Sequence, residues 1–350
     1  MPPKATLNDV AKRAGVHRST VSLALRDHPR ISEPVRLRIQ GIAKKIGYRI
    51  NPLVAALTQA RRTKRTEKHV VLAYVTNHPT RFGWRPPHHN RPDYFPGATA
   101  RARDFGYKLE HFWLAEPGMN PERFASILAA RNINGLIIGR LPPGCSQLDL
   151  PWERFSCVAL GLTLHAPRLH HVTENHYASA KQSMIHCIAR GHRRIGFVFS
   201  EANDSPRVGE RWLGAYLHEQ LRLEPADRIT PFFFTDDADN AAIFREWFRH
   251  NQPDALLVTH ALPVIEWLKP LGKTAPHDLG LVALVNDHPD QNHSGVYYDP
   301  AKLGALGIEM LVGLLHRDDT GVPVDQHEVL LTGEWLEGRT LRPAPATVRP

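Results

Sequence analysis

The run Thr6-Leu-Asn-Asp-Val-Ala-Lys-Arg-Ala-Gly-Val-His-Arg-Ser-Thr-Val-Ser-Leu-Ala-Leu-Arg26 decides how the amino-terminal part of this 350-residue chain folds. Leu7, Val10, Ala11 and Ala14 recur at the three- and four-residue steps of one helix face. Thr6 and Asp9 form a capping-box variant at its start, with Asp where Glu or Gln is usual. Gly15 supplies the left-handed residue on which helices commonly end. A second helix is predicted from about Arg18 to Arg26, burying Val21, Ala24 and Leu25 and stopped by Pro29. Ser32 caps a third, which tolerates Pro34 in its first turn, turns Val35, Ile39, Ile42, Ala43 and Ile46 inward and ends at Gly47. Two short helices about a glycine turn, closed by a third, make the helix-turn-helix pattern. A generic three-helix bundle shares that periodicity. The outward residues of the second helix, Arg18, Ser19, Ser22 and Arg26, distinguish the two, because short or cationic groups reach phosphates and base edges.

Charge follows the same division. Residues 1–68 hold sixteen Lys and Arg against four Asp and Glu, a net of +12, while the rest holds 28 against 31, a net of −3. A basic head on a near-neutral body points to a polyanionic partner for the head alone, the plain alternative being a solvated basic tail. Cys145, Cys157 and Cys187 are odd in number and lack CxxC spacing, which fits a reducing compartment rather than a disulfide scaffold. The first residues show no apolar signal core, and no run of 18 apolar residues occurs, so a soluble cytoplasmic protein without a membrane partner is expected.

From residue 69 strands alternate with helices. Strands are expected at His69–Val75, Lys108–Leu114, 135–139, Ile195–Ser200, Ile229–Phe234, Ala255–Thr259 and Gly280–Val285. Helices fall between them at Phe95–Phe105, Pro121–Arg131, Ala178–Ala189, Arg211–Gln220, Ala241–Arg249 and Ala261–Leu268. Repeated β-α units imply parallel sheets covered on both faces, and there are too many units for one compact sheet. The expected architecture is therefore α/β with a small all-α amino-terminal domain, the body divided into two lobes that bind ligands at the carboxyl ends of their strands.

The head closely resembles the LacI/GalR family of bacterial regulators. The match runs through Thr6-Leu7-x-Asp9-Val10-Ala11-x-x-Ala14-Gly15-Val16, Ser19-Thr20-Val21-Ser22, Arg30-Ile31-Ser32 and Gly47-Tyr48-x-x-Asn51-Pro52. Landmarks of the body extend it over nearly the whole chain: Gly191-His192-Arg193-Arg194-Ile195, Arg211-x-x-Gly214-x-Tyr216, Pro253-Asp254-Ala255, Gly280-Leu-Val-Ala, Asn286-Asp287 and the segment from Gly333 to Leu341. The resemblance implies a hinge helix after the head and a type I periplasmic-binding-protein-like body with several crossovers. The domains it implies are residues 1–60 with a hinge at 51–58, a basic linker at 61–68, and a body at 69–345. Its first lobe covers about 69–170 plus 297–325 and its second about 171–296 plus 326–345.

Residue roles follow from the same resemblance. Arg18, Ser19 and Leu23 would face base edges in the major groove, and Thr20, Ser22 and Tyr48 would hold phosphates or pack nearby. Leu23 stands where many members have Arg, and His17 where Ser is common; Thr6, Leu7 and Asn51 complete the DNA-facing set. Leu57 matches the leucine that wedges into the minor groove, with Val54 in place of the usual Ala; an ordinary linker leucine is the alternative. For the effector, Arg211 is the foremost candidate, since a guanidinium above a strand end forks to vicinal hydroxyls or a carboxylate; a surface ion pair is its alternative. Arg207 is a second candidate, and Asn286 and Asp287 follow a strand at the cleft edge. Many sugar-responsive members have Asp at Asn286 and Asn-Asp at His260-Ala261, which argues against a simple hexose. Glu174 and Asn175 mark a similar place, where Asp-Asn is common. The long segment 78–94 follows the first strand, so Trp84 or Tyr94 is placed to stack on an effector, a surface excursion being the alternative.

Twenty-one histidines fall into chance pairs without HExxH or other ligand spacing, so no metal and no cofactor is expected. Walker, GxSxG and GxGxxG patterns are missing, which leaves phosphoryl transfer, triad hydrolysis and dinucleotide binding without support. The expectation is a non-enzymatic regulator, a repressor foremost, that binds a pseudo-palindromic operator as a homodimer or a tetramer built from it. A sugar or related metabolite would tune its affinity. The rivals are a pure ligand-binding protein, an enzyme with a DNA-binding appendage and a non-specific architectural DNA binder.

Overall fold

The computed structural model describes residues 7–25, 31–45, 70–85, 93–200, 208–235, 239–259, 261–286 and 292–343. They belong to two compact units, Met1–Lys68 and His69–Pro350. Thr6, Tyr48, Asn51, Leu57, Arg207, His260 and Asp287 lie outside the described residues.

In the first unit, helices α1 (Leu7–Ala14), α2 (Arg18–Ala24) and α3 (Glu33–Lys45) enclose Val10, Ala14, Val21, Ala24, Ile39 and Ala43. Those are positions the helical spacing turns inward. Gly15 has φ +65°, the left-handed conformation that lets α1 end and the chain turn into α2. Two long polar side chains of α3 satisfy the carbonyls left open where the shorter helices end. Arg38 donates to the Ala14 carbonyl at 3.3 Å, and Gln40 donates to that of Ala24 at 3.2 Å.

The second unit contains two six-stranded sheets. The strands are β1 (Val70–Thr76), β2 (Tyr107–Trp113), β3 (Gly135–Ile138), β4 (Ser156–Leu160), β5 (His170–Glu174), β6 (Ile195–Ser200), β7 (Phe232–Phe234), β8 (Ala255–Val258), β9 (Gly280–Asn286), β10 (Ser294–Tyr297), β11 (Glu328–Leu331) and β12 (Glu334–Leu336). The first sheet has the order β11-β5-β4-β3-β1-β2 and the second β12-β10-β9-β8-β6-β7. All pairings are parallel except that of β12 with β10. The central strands β3 and β8 are buried along their whole length, as parallel strands covered on both faces must be.

Helices α4 (Phe95–Asp104), α5 (Pro121–Ala130) and α10 (Pro300–Arg317) belong to the first lobe. Helices α6 (His176–Ala189), α7 (Arg211–Gln220), α8 (Asn240–Asn251) and α9 (Ala261–Leu268) belong to the second. An Asn or Asp cap starts several of them, with proline in the first turn of α5 and α10: Asn120 accepts from Arg123 N, Asn175 from Ala178 N and Asp299 from Ala301 N. α4 and α10 cross backbone to backbone, because Gly97 lies against Ala301 and Gly304 against Tyr94 and Ala98.

The lobe boundaries differ from those expected. The expected break near 171 falls inside β5, and residues 328–331, expected in the second lobe, pair with β5 in the first. Parallel pairing of Glu328 with His171 through Leu331 with Glu174 gives that edge its partner. The chain thus passes between lobes after β5, after β10 and after β11. After β11 the chain enters β12, which runs antiparallel to β10 and so starts at the carboxyl edge of the second sheet.

Candidate functional site

α2 carries Arg18, Ser19, Thr20, Ser22 and Leu23, and Leu7 begins α1. His17 is exposed, and its carbonyl accepts from Thr20 N at 2.9 Å and Val21 N at 3.2 Å, so its backbone opens the helix. Thr20 and Leu23, one turn apart, are half-buried. The segment expected to reach the minor groove, with Asn51 and Leu57, lies outside the described residues, as does Tyr48.

In the first lobe, polar groups gather at the carboxyl ends of β1, β3 and β5. The Tyr94 hydroxyl, buried at the start of α4, donates to Glu174 Oε1 and accepts from Arg140 Nη1 at 3.1 Å. Burial opposes charge on Glu174, yet Arg140, His176 and the Tyr94 hydroxyl outweigh it and hold the carboxyl below its usual range. Burial, opposed by Arg140 and reinforced by the Glu174 charge and hydrogen bond, pushes the Tyr94 phenol well up, so it remains a donor. Asn175 caps α6 and its carbonyl accepts from the Tyr298 hydroxyl at 2.8 Å, tying the first crossover to the second.

Trp84 is not displayed on an open loop. It is 7 % exposed and packs on Tyr74, Phe95 and His111 with ring centroids 5.1–5.6 Å apart. Its indole N–H donates to the Arg81 carbonyl at 3.0 Å, and Arg85 lies 5.2 Å over its ring while pairing with Asp93 at 2.8 Å. The ring fills the space between the end of β1 and α4, so it forms the wall of the lobe. Burial, followed by the charges of Arg81 and Arg85, holds nearby His111 down to about 4, and it stays neutral beside the Thr76 hydroxyl at 2.7 Å.

In the second lobe, Ser200, Thr259 and Asn286 are buried at or just past the ends of β6, β8 and β9. Asn286 donates through Nδ2 to the His293 carbonyl at 3.2 Å, whereas its Oδ1 is buried without a partner. Such an acceptor is costly unless a donor meets it. Trp212 donates to Ser179 Oγ at 3.0 Å, and its ring meets His176 edge-on at 4.9 Å. Arg211, the first residue of α7, makes an ion pair with Glu328 of the first lobe at 2.6 Å.

Arg140, Glu328 and Tyr298 take part in this arrangement without a signal in the sequence; they follow strands or begin them and belong to no short motif. Among the described residues, no three His, Cys, Asp or Glu side chains come together as a metal-binding group. Among them, too, no helix is long and apolar enough to cross a membrane.

Comparison with known proteins divides the chain in the same way. The family profile described as bacterial regulatory proteins, lacI family, matches residues 6–51, and that of a periplasmic binding protein-like domain matches residues 184–341. The HTH-type transcriptional repressor CytR of Escherichia coli (strain K12) is 24% identical over 294 residues, covering 81% of this chain and 80% of that protein. The HTH-type transcriptional regulator GntR of Pseudomonas aeruginosa is 40% identical over 57 residues, 16% of this chain and 17% of its own. Among solved structures, the transcriptional regulator CelR–cellobiose complex superposes with TM-score 0.56 at 18% identity, covering 96% of this chain and 99% of that one. The lac repressor dimer bound to operator and the anti-inducer ONPF has TM-score 0.54 at 18% identity, covering 97% and 99%. These structures share the fold. The three-helix head, the two largely parallel sheets and the two profiles agree in order: residues 6–51 match the lacI family of bacterial regulatory proteins and residues 184–341 a periplasmic binding protein-like domain.

Proposed function

We propose that this chain is a transcriptional repressor that reads a pseudo-palindromic double-stranded DNA site as a dimer, with an affinity set by a small molecule held between the lobes of its body. The observation that carries the reading is the head: α2 follows a Gly15 turn with Arg18 and Ser19 in its first turn, the arrangement that lays a recognition helix in the major groove. Arg18, Ser19 and Leu23 read base edges; Thr20, Ser22, His17, Thr6, Leu7 and Tyr48 hold the backbone. Asn51 and Leu57 belong to a hinge that enters the minor groove.

The effector is a hydroxyl-bearing metabolite. Its contacts come from the carboxyl edges of both sheets: Arg140, Glu174 and Tyr94 in the first lobe, and Arg211, Asn286 and Thr259 in the second. Arg207, His260 and Asp287, which lie outside the described residues, are further candidates on the sequence alone. The CelR structure holds cellobiose, and a sugar or a related metabolite suits this set of acceptors and donors. Effector binding shifts the population between lobe arrangements of different operator affinity, a coupling of about 1–3 kcal/mol. The body is a sensor without catalytic chemistry or cofactor, and the protein works in the cytoplasm on the chromosome.

The experiment is a selection of random duplexes by the purified full chain, sequenced after several rounds. One pseudo-palindromic motif is the expected result. If strongly salt-dependent binding yields no motif, with or without a metabolite extract, the sequence-reading role is wrong and the head binds phosphate alone.

A further inference from the structure

Arg211 and Glu328 join the two lobes outside the polypeptide itself. Arg211 begins α7 in the second lobe, and Glu328 begins β11 at the edge of the first lobe's sheet. The guanidinium lies 2.6 Å from Glu328 Oε1. The same oxygen is 2.8 Å from Nε2 of His171, the residue paired with Glu328 across β5 and β11. Gln326 donates from Nε2 to His171 Nδ1 at 3.0 Å and to the Leu169 carbonyl at 2.7 Å. An imidazole that accepts at Nδ1 carries its proton on Nε2, so His171 donates to the carboxylate. Gln326 orients His171, His171 orients Glu328, and Glu328 reaches the other lobe. Both members of the pair are about three-tenths exposed, so water retains access to them and the contact breaks at modest expense. That combination, a well-oriented contact of low net energy, suits a joint that has to open and close.

We infer that Glu328 is a positioning residue: it fixes the guanidinium of Arg211 and thereby the angle between the lobes. The consequence for sensing rests on the reading of Arg211 as an effector contact. A ligand that takes Arg211 must release Glu328, so ligand binding and lobe angle change together. No such role follows for an ion pair within one lobe.

The test measures the lobe angle directly and needs neither DNA nor effector. In the full-length chain with Cys145→Ser, spin labels are attached at Ala129→Cys on α5 and Arg249→Cys on α8, both exposed. The inter-label distance distribution is recorded by pulsed dipolar spectroscopy. Glu328→Gln and Arg211→Gln are each expected to move or broaden the distribution by several ångströms in the same sense. The double variant should go no further than either, and the exchanged pair Arg211→Glu with Glu328→Arg should return it toward the parent. His171→Ala should give a smaller displacement in the same direction. Distributions identical to the parent in both single variants, with cooperative melting retained, overturn the inference. If Glu328→Gln does not melt cooperatively, Arg211→Gln and the exchanged pair decide between the same two outcomes. Failure of the regulator reading shows in the duplex selection and leaves these distances untouched.

Discussion

Arg18 is one guanidinium in the first turn of a seven-residue helix, and its role is separable from that of the surrounding positive charge. A bidentate contact to guanine discriminates by about 1–3 kcal/mol, or roughly 5- to 150-fold in affinity, whereas a phosphate contact weakens all sequences alike. Arg18→Ala is therefore expected to lose one to two orders of magnitude of affinity for the selected duplex and little for a scrambled one, read by fluorescence anisotropy at fixed salt. Equal loss on both duplexes reassigns Arg18 to the phosphates. Glu174 permits a second test at the same scale. Its carboxyl is held below the ordinary range in the folded protein, so its ionised form stabilises the fold above the unfolded carboxyl's pKa. That contribution fades as pH falls through the lowered folded value. The melting difference between the parent and Glu174→Gln should be largest near neutrality and shrink below about pH 4. A difference independent of pH sinks the assignment of an ionised Glu174. Tyr94→Phe removes the hydroxyl that donates to it and should cost about 1–3 kcal/mol, seen in denaturant melts.

Elements show where glycine is a packing requirement and where it is not. A Cβ on Gly304 of α10 would lie 2.1 Å from the Tyr94 carbonyl and 2.8 Å from Ala98 N, against backbone that cannot step aside. Gly304→Ala is expected to destabilise the body by at least the 1–3 kcal/mol typical of overpacking, and to disturb Tyr94 with it. Gly41, within α3 of the head, has nothing within 4 Å of its added Cβ, so Gly41→Ala should stabilise the head by about 0.5–1 kcal/mol. Calorimetry of both variants checks the contrast.

The head's three helices were legible because their contacts are local and their apolar residues fall at helical spacing, from Val10 to Ala43. The β-α alternation gave up β1, β3, β6 and β8, whose Val, Ile and Leu runs are buried on both sides. It did not give up β5, which reads His-His-Val-Thr-Glu, because those polar side chains find partners such as Glu328, Gln326 and Tyr94 far away in sequence. β11 escapes for the same reason of distance, since its partner β5 is far away in sequence and places it in the first lobe rather than the second. α10 is different, because its Leu303, Ile308, Leu311 and Leu314 fall at local helical spacing, yet the expected elements include no helix there. Of the site, Asn286 and Arg211 were readable as strand-end and helix-start residues. Trp84 was not, since burial by Tyr74, Phe95 and His111 is a tertiary fact.

At the scale of the whole molecule, charge and fold divide at the same place. A head region with a net of +12 on a body with a net of −3 should bind DNA with a steep dependence on ionic strength. Neutralising about six or more phosphates implies roughly a thousandfold or greater loss between about 50 and 200 mM salt. The slope of log affinity against log salt measures it, and a shallow slope would remove the head's basic residues from the interface. The return of β11 to the edge of the first sheet has a further meaning for how the protein is made. The head closes on contacts within residues 7–45, but the first lobe waits for α10 and β11, the latter ending at residue 331. At translation rates of about 5–20 residues per second, those 263 residues beyond Lys68 take about 13–50 s to synthesise. Throughout that interval a finished DNA-reading head hangs from a ribosome with its sensor still incomplete, and a chain arrested there is a reader without a regulator.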